Sequence, residues 1–180
     1  MGISTPVTPV SIEEYLSNPA FEHSEYVDGE VVPLNVGTKS HARIQGKCFR
    51  RLDEFFDSRP GGFVGTELHS RLLIGGRARY RLPDVAVVLQ DHTPNAPYLE
   101  GAPDMVVEIK SPEDKITALF QKLDEYFANG AKLAWIVLPE EESVLAVTPD
   151  AHPRSYNVES MLDGGSLLPG LSVPVKDLFA

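Results

Sequence analysis

The chain has 180 residues and a formal net charge of -10, from 16 Lys and Arg against 26 Asp and Glu. That length fits a single domain, residues 1–180, and 42% hydrophobic with 23% charged content excludes wholesale disorder. A pI near 4.9 excludes a nucleic-acid binder that is basic along its whole length. One cysteine, Cys48, excludes an internal disulfide or a Cys-based metal cluster. No apolar run approaches the roughly 18 residues that span a bilayer, so no membrane partner is expected. Met1 to Val10 lacks the basic stretch and apolar core of a signal peptide, and the expectation is a cytoplasmic protein.

In chain order, Ser11 and Glu14 have capping-box spacing and open a short helix, Ile12 to Leu16, which Pro19 ends. Glu25-Tyr26-Val27, Asp28-Gly29 and Glu30-Val31-Val32 read as a hairpin, with Asp-Gly supplying the positive dihedrals of a two-residue turn. Ser40 is placed to cap a helix from His41 to about Asp57, along which Ile44, Cys48, Phe49, Leu52, Phe55 and Phe56 recur at three- and four-residue steps. Pro60-Gly61-Gly62 stops it. Strands are expected at Phe63 to Thr66, Leu68 to Ile74, Arg81 to Leu89 and Asp104 to Ile109. Gly75-Gly76 is a turn, and residues 91–103, with Pro94, Pro97 and Pro103, are a loop. Pro112-Glu113-Asp114 suits the start of a helix whose apolar stripe runs from Ile116 to Phe127 and stops at Asn129-Gly130. Leu133 to Leu138 reads as a buried strand. Val144 to Thr148 and Arg154 to Val158 are further strands, and beyond them the pattern fades. The class is α/β or α+β, with a mixed sheet flanked by helices.

The charge is unevenly placed. Residues 1–38 hold six acids and no Lys or Arg, residues 39–81 hold ten bases and four acids, and residues 82–180 hold six bases and sixteen acids. The middle segment, at +6, is either an anion-facing surface or a set of solvated helix and hairpin faces.

Two expected strands contain acids that hydrophobicity does not explain. Asp84 opens the apolar run Val85-Ala86-Val87-Val88. Glu108 and Lys110 flank Ile109 and leave the same strand face. Two carboxylates from adjacent strands, with the Ile109 carbonyl, offer hard oxygen ligands to Mg²⁺. A lysine beside such an ion suits orientation or deprotonation of water and stabilisation of phosphate charge. The structural alternatives are an ion pair of Asp84 with Arg79 or Arg81, and of Glu108 with Lys110.

Pro83-Asp84 with Glu108-Ile109-Lys110 resembles the signature of the PD-(D/E)xK nuclease superfamily. Tyr26-Val27-Asp28-Gly29-Glu30, His41 at a helix start, Ser111-Pro112, Lys122 with Tyr126, and Gly130 before Trp135-Ile136-Val137 occur in the same order in the Uma-type family of putative restriction endonucleases. The resemblance covers about residues 10–140. It implies a restriction-endonuclease-like core there, a β extension over about 141–180, and a Mg²⁺- or Mn²⁺-dependent DNA endonuclease. It also implies that Asp84 and Glu108 hold the metal, with Glu30 as a further ligand, and that Lys110 or Lys122 serves water and phosphate. Tyr126, one helical turn from Lys122, and His41 are expected behind these groups. Lys39, Arg43, Lys47, Arg50, Arg79 and Arg81 are the candidate phosphate contacts.

DNA is the expected partner, and a homodimer is expected because restriction-type folds often cut two strands with two sites. The apolar tail (Leu167-Leu168, Leu171, Val173, Val175, Leu178-Phe179) either forms an interface or caps the sheet. Other readings of the same residues are a non-catalytic module that binds nucleic acid or protein, and a hydrolase of small phosphate esters. Cys48 is expected in the core. His23, His69, His92 and His152 lack the spacing of a zinc site.

Overall fold

A computed structural model describes residues 9–34, 37–57, 59, 61–89 and 95–180. The expected features at Met1 to Thr8, Pro60, His92 and Pro94 lie outside the described residues. Helix α1 (Ile12–Ser17) is capped by the Ser11 side chain and followed by a 3₁₀ turn, Pro19–Phe21. Strands β1 (Ser24–Val27) and β2 (Glu30–Pro33) make the hairpin, and Asp28 and Gly29 take the positive φ of its turn. Helix α2 (Lys39–Phe56) follows, then β3 (Phe63–Gly65), β4 (Ser70–Ile74), β5 (Arg77–Arg81), β6 (Val85–Val88), β7 (Leu99–Glu100) and β8 (Met105–Ile109). Helix α3 (Ile116–Ala128), β9 (Leu133–Leu138), β10 (Ser143–Thr148), β11 (Ala151–Tyr156), β12 (Met161–Gly164), β13 (Leu168–Pro174) and α4 (Lys176–Phe179) complete the chain.

The strands form a five-stranded sheet ordered β2-β1-β5-β4-β7, a six-stranded sheet ordered β11-β10-β9-β8-β6-β3, and the β12-β13 pair. Parallel pairing of β8 with β9 lies inside an otherwise antiparallel large sheet. Both faces of that sheet are covered, so β6, β8 and most of β9 are buried residue after residue. One face (Val85, Val87, Met105, Val107, Ile109, Trp135, Val137) packs on Ile44, Cys48 and Leu52 of α2. The other (Val106, Ala134, Ile136) packs on Leu119, Leu123 and Tyr126 of α3. The two-residue period of β8 therefore turns Met105, Val107 and Ile109 towards α2 and hands Glu108 to the α3 side.

Several boundaries differ from the sequence reading. Thr38, not Ser40, caps α2, its hydroxyl accepting from the His41 N–H at 3.1 Å. Residues 111–114 form a turn, closed by Asp114 accepting from the Ser111 N–H at 2.8 Å, and α3 begins only at Ile116. Of the strand expected from Arg81 to Leu89, Val85–Val88 form β6, whereas Arg81 is the last residue of β5, a strand in the other sheet that the sequence pattern does not mark. Pro83 has no N–H for a ladder, and the chain crosses from one sheet to the other between Arg81 and Val85. A two-residue strand, β7, lies within the stretch expected to be loop.

The C-terminal pattern that fades in the sequence is structured. Leu162, Leu168, Leu171, Val173, Val175 and Leu178 join the α2-side core. The apolar tail thus serves its own core and is not a free interface. We expect Leu162→Ala, at a fully buried side chain, to cost about 2–5 kcal/mol in denaturant unfolding. Leu73→Ala, half exposed, is expected to stay within about 0.5 kcal/mol.

Candidate active site

A cleft of about 710 Å³ opens where the two large sheets meet. Its lining includes Glu25, His41, Gln45, Arg79, Arg81, Asp84, Glu108, Lys122 and Glu125. Asp84 sits at the sheet-to-sheet crossing just before β6. One of its oxygens accepts from the Ile109 N–H at 2.6 Å, and the other lies 3.0 Å from His41 Nε2 at the start of α2. Gln45 donates to the Asp84 carbonyl at 3.0 Å, so α2 grips this corner twice. The Asp84 contact raises the His41 pKa, against the opposing effect of burial.

Glu108, on β8, is only 5% exposed. Its carboxylate takes both oxygens to Lys122 Nζ, at 2.8 and 2.9 Å, and accepts from the Tyr126 hydroxyl at 3.1 Å. Lys122 and Tyr126 reach it together because they are four residues apart on α3. Lys122 also lies 2.8 Å from Glu25 on β1. Glu25 bonds Arg81 at 2.7 Å and accepts from the Leu82 N–H at 3.1 Å. Arg81 grips Glu125 of α3 through two nitrogens at 2.8 and 2.9 Å, and Arg79 joins Glu125 to Asp28. The result is one alternating chain of charge, Asp28–Arg79–Glu125–Arg81–Glu25–Lys122–Glu108.

That chain has four acids and three bases, and its surplus falls at the Glu108 end. Burial pushes the Glu108 pKa up to about 7, and the charges of Asp84 and Glu25 add to the rise although Lys122 opposes it. Burial opposes ionisation of Glu25 as well, but Lys122 and Arg81 outweigh it and hold that carboxyl below its usual range. Lys122 stays cationic despite burial because it has both carboxylates. Glu25 is held ionised by Arg81 as well as by Lys122, so Glu108 is the member that gains a proton near neutrality. Burial and the Glu108 charge also raise the Tyr126 hydroxyl well above its normal range, which keeps it a donor.

The structure thus brings together Asp84, Glu108, Lys122, Tyr126 and His41. Lys110 leaves β8 at the cleft's edge, in a smaller hollow shared with His41 and Ser111, and its ammonium reaches the Ser111 carbonyl at 3.4 Å. Neither structural alternative is seen: Asp84 pairs with His41 instead of Arg79 or Arg81, and Glu108 pairs with Lys122 instead of Lys110.

Glu30 is exposed beside the hairpin turn and does not line the cleft; Glu25 from the same hairpin does. Arg79 and Arg81 are occupied within the ion chain. Lys39, Arg43, Lys47 and Arg50 lie away from the cleft, which α2 lines with His41, Ala42 and Gln45. Neither Glu25 nor Glu125 is among the site residues expected from the sequence. Glu125 had a signal, an acid inside the apolar stripe of α3 between Lys122 and Tyr126. Glu25 had little, being one polar residue in a short hairpin strand.

Cys48 is a core residue, its thiol pushed up to about 12 by burial. Among the described residues no three or more His, Cys, Asp or Glu side chains form a ready-made metal cage, and no helix is long and apolar enough to cross a membrane.

The layered arrangement is a mixed α+β, nuclease-like fold. It matches a crystal structure described as a putative nuclease belonging to DUF820 from Anabaena variabilis, with a TM-score of 0.81 and 23% identity over 95% of this chain and 98% of that one. Residues 12–176 match the Uma2 family, described as "Putative restriction endonuclease", and the chain belongs to that family. No curated protein matches it.

The Glu108 shift has a definite sign. The folded state binds a proton that the unfolded state releases near pH 4.5, so this group's contribution to stability falls as pH rises from there through about 7. Chemical denaturation at pH 5 and pH 8 should show wild type losing roughly 1–3 kcal/mol relative to Glu108→Gln across that interval. Parallel profiles for the two proteins would contradict the assignment. Lys122→Met leaves buried Glu108 without a cation and Glu25 with Arg81 alone, and is expected to cost about 3–5 kcal/mol at pH 8, measured the same way.

Proposed function

We propose that the chain is a divalent-metal-dependent nuclease that hydrolyses phosphodiester bonds of DNA in this cleft. The observation that carries the reading is the meeting, in one cleft, of Asp84 and Glu108 from neighbouring strands with a lysine on Glu108. The donors suit Mg²⁺ or Mn²⁺. They are hard oxygens, two carboxylates with the backbone carbonyl of Ile109 next to Glu108 in sequence, and Mg²⁺ commonly binds one or two carboxylates and keeps several waters. The charge balance also suits a cation, because the ion chain leaves an acid in excess at Glu108 and Asp84 adds another. When bound there, the metal supplies Lewis acidity, a water of lowered pKa and neutralisation of phosphate charge.

The remaining roles belong to this chain's own side chains. The Ile109 N–H and His41 hold Asp84 in one orientation, and Tyr126 and Lys122 hold Glu108. Lys122 is fastened between two carboxylates, so it orients Glu108 and keeps its proton. Lys110 has no carboxylate partner among the described residues and stands at the cleft's edge. In this reading it meets the phosphate and the attacking water.

The expected result is cleavage of plasmid or single-stranded DNA that requires Mg²⁺ or Mn²⁺ and is lost in Glu108→Ala and in Asp84→Asn. Lys110→Ala should lose most of the rate while its thermal unfolding stays close to wild type. Equal cleavage by wild type and Glu108→Ala would sink the assignment. Metal binding without any DNA cleavage would point to a small phosphate ester as substrate, and neither metal binding nor cleavage to a non-catalytic module.

A further inference from the structure

The outer face of α2 is charged in an order that a solitary helix disfavours. At 3.6 residues per turn, Lys39, Arg43, Gly46, Arg50, Asp53 and Asp57 fall within an arc of about 80°, opposite the buried Ile44, Cys48 and Leu52. All six are exposed. Lys39 and Arg43 occupy the N-terminal half, Arg50 lies just past the middle, and Asp53 and Asp57 hold the C-terminal end, with no acid in the first turn and no base in the last. Lys39 in the first turn and Asp53 and Asp57 at the end each oppose the helix dipole, at about 0.3–1 kcal/mol. Lys39 and Arg43 are also like charges at i, i+4, which repel. Among the described residues, Lys39, Arg43, Asp53 and Asp57 have no ion-pair partner, whereas Arg50 reaches its neighbour Glu54. Gly46 lies at the centre of the arc, and a Cβ there would meet nothing within 4 Å. A mid-helix glycine costs about 1 kcal/mol relative to alanine, and no contact among the described residues calls for it.

A second α2 laid antiparallel accounts for all of these features at once. A two-fold axis level with residue 48 sets Lys39 against the second copy's Asp57, Arg43 against its Asp53, and Arg50 over its Gly46. The helix dipoles then oppose, and the glycines permit close approach. We propose that this face is a self-docking surface through which two copies of the chain form an isologous dimer. A polyanion such as DNA answers only the basic half and leaves Asp53, Asp57 and Gly46 unexplained. The paired stretch, Lys39 to Asp57 or about 27 Å of helix, buries less than a standard interface, so the dimer is weak and salt-sensitive. The proposal stands apart from the nuclease reading and survives its failure.

The test is sedimentation velocity of the full chain at about 100 µM protein, in about 50 mM and about 500 mM NaCl. Wild type should associate at low salt and dissociate at high salt. Arg43→Glu and Asp53→Lys should each be monomeric alone, since each sets like charges together twice. An equimolar mixture of the two should associate as wild type does, because every facing pair is then opposite in sign. That recovery also shows that both variants are folded. Gly46→Gln should abolish association while its thermal transition stays at or above that of wild type. Three results would overturn the proposal: wild type monomeric at both salts, either charge variant dimeric alone, or a mixture that fails to associate. A monomeric wild type whose binding to short duplex DNA is weakened by Arg43→Glu would assign the face to nucleic acid instead.

Discussion

Lys122 is the point on which the arrangement turns. Its ammonium is fixed between Glu25 of one sheet and Glu108 of the other, and through Glu25 it is joined to Arg81, Glu125, Arg79 and Asp28. A buried chain of this kind contributes little net stability, since desolvation of each ion offsets much of the attraction. Its consequence is geometric. Any slip between β1, β5, β8 and α3 would leave a charge buried without a partner, so the walls of the cleft are held in one register. The acid left in surplus lies next to Asp84, where a cation has most to offer.

The site is built at a change of sheet. Pro83 cannot extend a ladder, so the chain leaves the five-stranded sheet after Arg81 and enters the six-stranded sheet at Val85. Asp84 falls at that crossing and is held by the backbone of the neighbouring strand and by the first turn of α2. Glu108 owes its position to strand alternation, since its neighbours Val107 and Ile109 face α2 while it faces α3. Backbone geometry therefore sets both carboxylates, and the ion chain fixes their surroundings.

What the sequence reveals divides along physical lines. Strand β9 reads to the residue, because a continuous apolar run is the signature of a strand buried on both faces. Helices α2 and α3 show in their periodicity, although their caps do not, because Thr38 and Ser40 are equally good capping residues and Pro112-Glu113-Asp114 also suits a turn. Asp84, Glu108, Lys122, Tyr126 and His41 are legible as a group, since each breaks a local hydrophobic pattern or fits a recurrent order. Glu25, Glu125 and the ion pairs of Arg79 and Arg81 are not, because a long-range ion pair leaves no mark on local periodicity. A charge count, likewise, cannot separate arginines neutralised within the fold from cations free on its surface. The C-terminal strands β12 and β13 carry Gly164 and Gly170, with Gly165 in the turn between them, and are stabilised by packing in the α2-side core that no local pattern announces.

The central claim is that Asp84 and Glu108 form one cation site. Anomalous scattering from crystals soaked in Mn²⁺ near pH 8, where Glu108 is ionised, tests it most directly. A peak is expected within direct coordination distance of oxygens from both carboxylates, absent in Asp84→Asn crystals. A map with no peak in the cleft, or with peaks only at other surface acids, would contradict it.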